Sequence, residues 1–194
     1  MLQKLITLLL ISIFSTVAFA GLEEDYLAIK DSGRDFEPAG AICEEVAKLD
    51  IQRQFPAPAY NVITGIAYSD KFGTLGELDI IVFDTKTDTA VMFGEVKCWK
   101  NPSQGLDKMH DQRDRFFRNI RSGKVLKFDW GFDDTKEFKK EQFLTTEKFI
   151  SIAQKGAKEF GYDDELPYTL KELMQLRARI LRCQDLEGCK KPTY

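Results

Sequence analysis

Residues 76–99 read G-E-L-D-I-I-V-F-D-T-K-T-D-T-A-V-M-F-G-E-V-K-C-W. Two β-rich runs, 78–83 and 90–98, flank a polar segment at 84–89, a pattern that predicts a β-hairpin. Asp79 opens the first run; Glu95 and Lys97 lie inside the second. Side chains alternate across a strand, so Glu95 and Lys97 share one face and Val96 and Cys98 the other. A turn near Lys86 and Thr87 returns Asp79 to the Glu95–Lys97 end. Two carboxylates and an ammonium then crowd one patch at the rim of a buried sheet. Unpaired charge there is costly, and close carboxylates repel unless a cation joins them. A hard divalent metal held by oxygen ligands relieves that repulsion.

Asp79 at a strand start, with Glu95-Val96-Lys97 on the return strand, resembles the PD-(D/E)xK phosphodiesterase superfamily. The resemblance spans about residues 40–153. It implies an α/β, restriction-endonuclease-like αβββαβ core: a central mixed sheet flanked by helices. It also implies Mg²⁺ or Mn²⁺ held by Asp79, Glu95 and the Val96 carbonyl, with Lys97 holding the nucleophilic water or the scissile phosphate. The superfamily places a further acid on its first helix. Glu44 fits the E-x-x-A spacing of relatives, with Ala47 three residues on, whereas Glu45 lies closer to the apolar stripe of Ile42, Val46 and Leu49. Both stay open, as does an ordinary hairpin carrying a surface salt bridge.

Outward from the hairpin, residues 21–37 are polar and mixed, a short helix or an arm, before Pro38 and Gly40 punctuate. Helical spacing of Ile42, Val46 and Leu49 predicts a helix over 41–51. Residues 60–67 predict a strand and 69–75 a turn. On the other side, Asn101-Pro102-Ser103 can open a helix, read over 104–121. Residues 124–130 predict a strand, 129–141 an insertion or short helix, 148–153 a strand beside the hairpin, and 167–181 an amphipathic helix.

From Lys97 to Lys127 there are nine basic residues and three acidic ones, in a chain whose formal net charge is −3. Phosphate binding draws free energy from such an excess. The rival reading is a solvated helix with i,i+4 pairs Asp111–Arg115 and Asp114–Arg118. Relatives often carry a Gln or basic residue on this helix; Gln112 and Arg113 are candidates, with Lys108 and Lys100 nearby. Trp99 and Trp130 can stack on bases or simply pack.

Residues 1–20 have Lys4, an apolar run at 5–14 and Ala18-Phe19-Ala20, the pattern of a secretory signal peptide. Removing them from 194 residues leaves 174, suited to one domain, with 27 basic against 31 acidic residues once Lys4 is gone. A soluble periplasmic or secreted protein, without membrane anchoring after cleavage, is expected. Four cysteines, Cys43, Cys98, Cys183 and Cys189, suit disulfides in that compartment. Cys183–Cys189 is the favoured pair and Cys43–Cys98 the second. The absence of C-x-x-C and a single His110 disfavour zinc and histidine-based catalysis.

These readings converge on a metal-dependent deoxyribonuclease with low sequence specificity. The alternatives are a catalytically inactive secreted nucleic-acid-binding domain of the same fold, or a cystine-stabilised protein-interaction module.

Overall fold

The computed structural model describes residues 21–131, 136–146 and 148–192. The expected signal peptide at 1–20 lies outside the described residues, as does part of the 129–141 segment.

The described chain is α/β, a six-stranded mixed open sheet with five helices. In chain order the elements are α1 (residues 21–29), α2 (Ala41–Gln54), β1 (Tyr60–Asp70), β2 (Gly73–Asp84), β3 (Thr89–Val96), α3 (Pro102–Arg121), β4 (Lys127–Trp130), α4 (Glu141–Leu144), β5 (Lys148–Ala153), β6 (Asp164–Glu165) and α5 (Leu170–Asp185). Spatially the strands run β4-β1-β2-β3-β5-β6. β1, β2, β3 and β4 pair antiparallel, while β3–β5 and β5–β6 are parallel. A parallel neighbour needs a crossover, and α3 with the segment after it supplies one.

The predicted hairpin is β2–β3, with Ile80 opposite Gly94 and Val82 opposite Met92. The turn expected at 69–75 is shorter: strand pairing continues to Asp70 and Gly73. The Asp70 carboxylate accepts the N–H groups of Phe72 and Gly73, closing the chain in place of a longer loop. α3 begins at Pro102, two residues before the reading from apolar spacing, because Asn101 caps it by accepting from the Gln104 N–H. α5 begins at Leu170 rather than 167, where Thr169 and Glu172 form a capping box. β6 had no signal in the sequence.

Apolar side chains divide between the two faces. Val62, Ile80, Val82, Met92 and Val96 pack with α1, α2 and α5. Ile63, Ile81, Phe83 and Phe93 pack with Phe116 and Ile120 of α3 and Phe143 of α4. Both disulfides are present, Cys183–Cys189 after α5 and Cys43–Cys98 between α2 and the segment after β3. No described helix is long and apolar enough to cross a membrane.

Candidate active site

Asp79, Glu95 and Lys97 meet at the end of the hairpin. The Lys97 ammonium donates to Asp79 Oδ2 at 2.9 Å and lies 3.5 Å from Glu95 Oε2. The Val96 N–H also donates to Asp79 Oδ2, at 2.8 Å. Asp79 is 5% exposed and Glu95 2%, so these charges are held inside the protein. Lys97 lies one residue past β3, where its own N–H bonds the Ile152 carbonyl of β5 at 3.0 Å.

A crease in the sheet explains how Asp79 reaches this spot. Along β2, Ile80 and Val82 belong to the α2-side core but Leu78 to the α3-side core. Along β1 the same switch separates Val62 from Ile66 and Tyr68. The pairs Thr64–Ile80 and Ile66–Leu78 flank the switch, with Gly65 and Asp79 between them. Gly65 has φ +74°, a backbone that glycine adopts without a Cβ penalty. Asp79 sits where the face assignment changes.

α2 brings two further acids, and the structure separates their roles. Glu44 lines a cleft of about 310 Å³ with Arg34, Asp35 and Glu77, two residues before Asp79. Glu45 turns to a smaller cleft of about 170 Å³, with Ser32, Lys48, Thr64 and Trp130. Arg34 stands between them: one guanidinium nitrogen pairs with Glu44 and another donates to Glu45 Oε1 at 2.8 Å and Thr64 Oγ1 at 3.3 Å. Of the two glutamates, Glu44 faces the Asp79 charge.

The electrostatics record this crowding. Burial, then repulsion from Asp79, pushes the Glu44 carboxyl up to about 7, despite the nearby Arg34. Burial and Asp79 likewise raise Glu95 well above the usual carboxylate range, with Lys97 acting against them. Burial opposes the Lys97 charge, but Asp79 and Glu95 outweigh it and hold the ammonium above its ordinary value. Such opposed perturbations at one cleft are a mark of functional sites and also of structural ion networks.

The donor chemistry fits a hard divalent cation: carboxylate oxygens with too little positive charge among them. Among the described residues, however, no three His, Cys, Asp or Glu side chains already stand in a metal-holding group. The Lys97 ammonium bridges Asp79 and Glu95 instead.

The candidates around α3 are placed unevenly. A Cβ on Gly105 would come within 3.6 Å of Lys97 Cβ and 3.8 Å of Trp99 Cβ, so the helix start abuts the site. Lys108 holds its ammonium 5.2 Å from the Trp99 ring centroid, and Lys100 is exposed beside it. Gln112 is half-buried, and its Oε1 has no hydrogen-bond partner among the described residues. Arg113 lies five residues beyond Lys108 on the same helix, with Nε donating to Asp114 Oδ1 at 2.9 Å and its guanidinium over Phe149. Trp130 donates to the Thr64 carbonyl at 2.7 Å, a packed role.

Arg34 and Thr64 had no signal in the sequence. Arg34 lies in an irregular polar stretch, and only the fold shows that its charge lies between two helix glutamates. No protein-family model, curated protein or solved structure matches this chain.

Proposed function

We propose that this protein is an exported, metal-dependent nuclease of the PD-(D/E)xK type that hydrolyses phosphodiester bonds of DNA with low sequence specificity. The meeting of Asp79, Glu95 and Lys97 at one buried strand end carries the reading. The order α2-β1-β2-β3-α3-β5, with an antiparallel β1–β2–β3 and β5 parallel to β3, supports a restriction-endonuclease-like core; β4 and α4 are then additions. Two disulfides support an oxidising compartment.

Asp79, Glu95 and Glu44, with the Val96 carbonyl, would hold Mg²⁺ or Mn²⁺. Such an ion polarises phosphoryl oxygens and makes water more acidic. The chain's own residues do the rest. Glu44 and Glu95 lose their protons as pH rises and so become able to bind the cation. Lys97 keeps its proton and offers a fixed positive charge to a phosphate entering beside Asp79, where negative charge grows during hydrolysis. Lys100 and Lys108, with Trp99, line the approach at the start of α3 and attract the DNA backbone.

One observation favours the second reading, a non-catalytic nucleic-acid-binding domain: the Lys97 ammonium already pairs with both Asp79 and Glu95. Incubating purified protein with plasmid and linear DNA, in Mg²⁺ and in EDTA, decides between the two. Metal-dependent cutting that is lost in folded Asp79→Ala and Lys97→Ala variants supports the nuclease. Gel retardation without cutting supports the binder and sinks the enzyme.

A further inference from the structure

The end of the β1–β2 hairpin is apolar where such turns are ordinarily polar. Asp70 pairs with Gly73, so Lys71 and Phe72 form a two-residue turn. Gly, Asn and Asp favour such positions; here a Phe stands at the apex, 85% exposed. A Cβ built on Gly73 would meet nothing within 4 Å, so the apex stands clear of the rest of the described chain. Beside it runs the segment between α3 and β4. The Leu126 N–H donates to the Ser69 carbonyl at 2.9 Å, and Ser69 pairs with Lys127. Leu126 is 68% exposed. One end of the sheet thus presents two large apolar side chains, from separate segments, to solvent.

This end is preformed and its surround is cationic. The Asp70 carboxylate accepts the Phe72 and Gly73 N–H groups at 2.8 and 3.2 Å and lies 3.7 Å from Lys124 Nζ. It fixes the turn and ties it to the α3–β4 connection, so little ordering is left to be done on binding. Lys71, Arg121, Lys124 and Lys127 lie in these two segments, against Asp70 and Asp129. Lys140 adds a fifth cation, its Nζ 3.7 Å from a Cβ placed on Gly123. Asp70 pairs with Lys124 and Asp129 with Lys127. Five basic residues against two acidic ones leave a local excess of three positive charges, in a chain whose formal net charge is −3.

Shape and chemistry choose among partners. A nucleobase stacks on an open ring face, but the Lys71 ammonium already lies 4.7 Å from the Phe72 ring centroid, and Leu126 has no π-face. A specific protein interface buries about 800 Å² per partner, and two side chains at a turn supply a small part of that. A fluid bilayer needs no matching surface: apolar side chains enter the acyl boundary while lysines attract anionic headgroups. We infer that this end of the sheet docks reversibly on a bilayer rich in anionic phospholipid, with Phe72 and Leu126 entering the interface and the lysines around them holding headgroups. The inference does not rest on the nuclease reading. Asp79 lies ~20 Å further along β2, so docking leaves the candidate active site off the lipid.

The test mixes residues 21–194 with vesicles of phosphatidylcholine alone, and of phosphatidylcholine and phosphatidylglycerol in equal parts, and measures co-sedimentation. Binding is expected to the anionic vesicles, to weaken with added salt, and to be slight on phosphatidylcholine alone. The partition coefficient should fall ~10-fold in Phe72→Ser and in Leu126→Ser, and ~5-fold in Lys71→Gln, each with a wild-type melting temperature. Leu27→Ser, at an exposed leucine of α1, should bind as wild type. Tryptophan emission of Phe72→Trp should shift blue on anionic vesicles, beyond any change in wild type from Trp99 and Trp130. Failure to sediment with anionic vesicles would overturn the inference. So would binding that survives both serine substitutions, which places the contact elsewhere, or an unshifted Phe72→Trp emission. DNA retardation that is lost in Phe72→Ser, in a protein that ignores vesicles, would overturn it in favour of a nucleic-acid contact.

Discussion

As a metal ligand Glu44 would carry a negative charge in a place that resists it. Its carboxyl is pushed up to about 7, against an ordinary value of 4.5. Between those values the folded protein binds more protons than the unfolded chain, so stability falls as pH rises from about 4.5 through 7. The loss attributable to this group is on the order of 3 kcal/mol. In EDTA, Glu44→Gln should therefore gain thermal stability relative to wild type by a margin that opens across this window; a margin independent of pH would count against the assignment. Asp79→Asn should weaken Mg²⁺ binding more than any other single change here, and calorimetry showing wild-type affinity would remove it as a ligand. Lys97→Ala should lower turnover by ~10²–10³ with a smaller change in metal affinity; it also unpairs Asp79 and Glu95 in EDTA, where melting temperature should drop. At this scale the sequence was partly legible. Asp79, Glu95 and Lys97 could be grouped because alternation and a hairpin turn are local rules. Glu44 and Glu45 stayed open, because which of them faces the Asp79 charge depends on how α2 packs on the sheet, and no local rule sets that.

α3 is the element whose position fixes what flanks the site. Gly105 lets it approach: a Cβ there would lie 2.5 Å from the Tyr162 hydroxyl, which donates to the Pro102 carbonyl. Gly105→Ala should cost ~1–3 kcal/mol by overpacking, and Tyr162→Phe in the same chain should recover part of it. If the double variant melts no higher than Gly105→Ala alone, the close approach is not what requires glycine. The basic residues of this helix are not equivalent. Lys100 and Lys108 flank Trp99 at the site end, whereas Arg113 is engaged by Asp114 and Phe149. Replacing Lys100 and Lys108 by glutamine should reduce the salt slope of DNA binding by up to ~1.8, at ~0.9 per phosphate contact. Arg113→Gln should change it less; the reverse ranking would place the DNA along the far half of the helix. The helix was readable from its apolar spacing, but its pattern of ion pairs was not: the Asp111–Arg115 and Asp114–Arg118 pairs of the rival reading are not among the described ion pairs, and Arg113–Asp114 is. The crease at Gly65 and Asp79 was also hidden, since a period of two assumes that a strand keeps its faces.

At the scale of the whole molecule, the carboxylates of α2 and the hairpin form one charge cluster spanning separate parts of the chain. Burial and the Asp79 charge favour the neutral forms of Glu44 and Glu95, so ionising them should cost stability as pH rises, and on the nuclease reading a shared cation should offset that cost. A ligand that binds only the folded state stabilises it by about 2.7 kcal/mol at 100 times its Kd. For a chain of this size that corresponds to roughly 5–10 °C in Tm. The gain should depend on pH, because Mg²⁺ competes with the protons on Glu44 and Glu95, both of which bind protons more tightly than ordinary carboxylates. Mg²⁺ should thus raise Tm clearly at pH 8 and little at pH 5, and EDTA should cancel the gain. Glu44→Gln should shrink the pH 8 shift and Asp79→Asn should abolish it. Scanning calorimetry of these three proteins at both pH values checks the set. An equal Mg²⁺ shift at pH 5 and pH 8, or one that survives Asp79→Asn, would locate the cation elsewhere and detach the cluster from metal binding altogether.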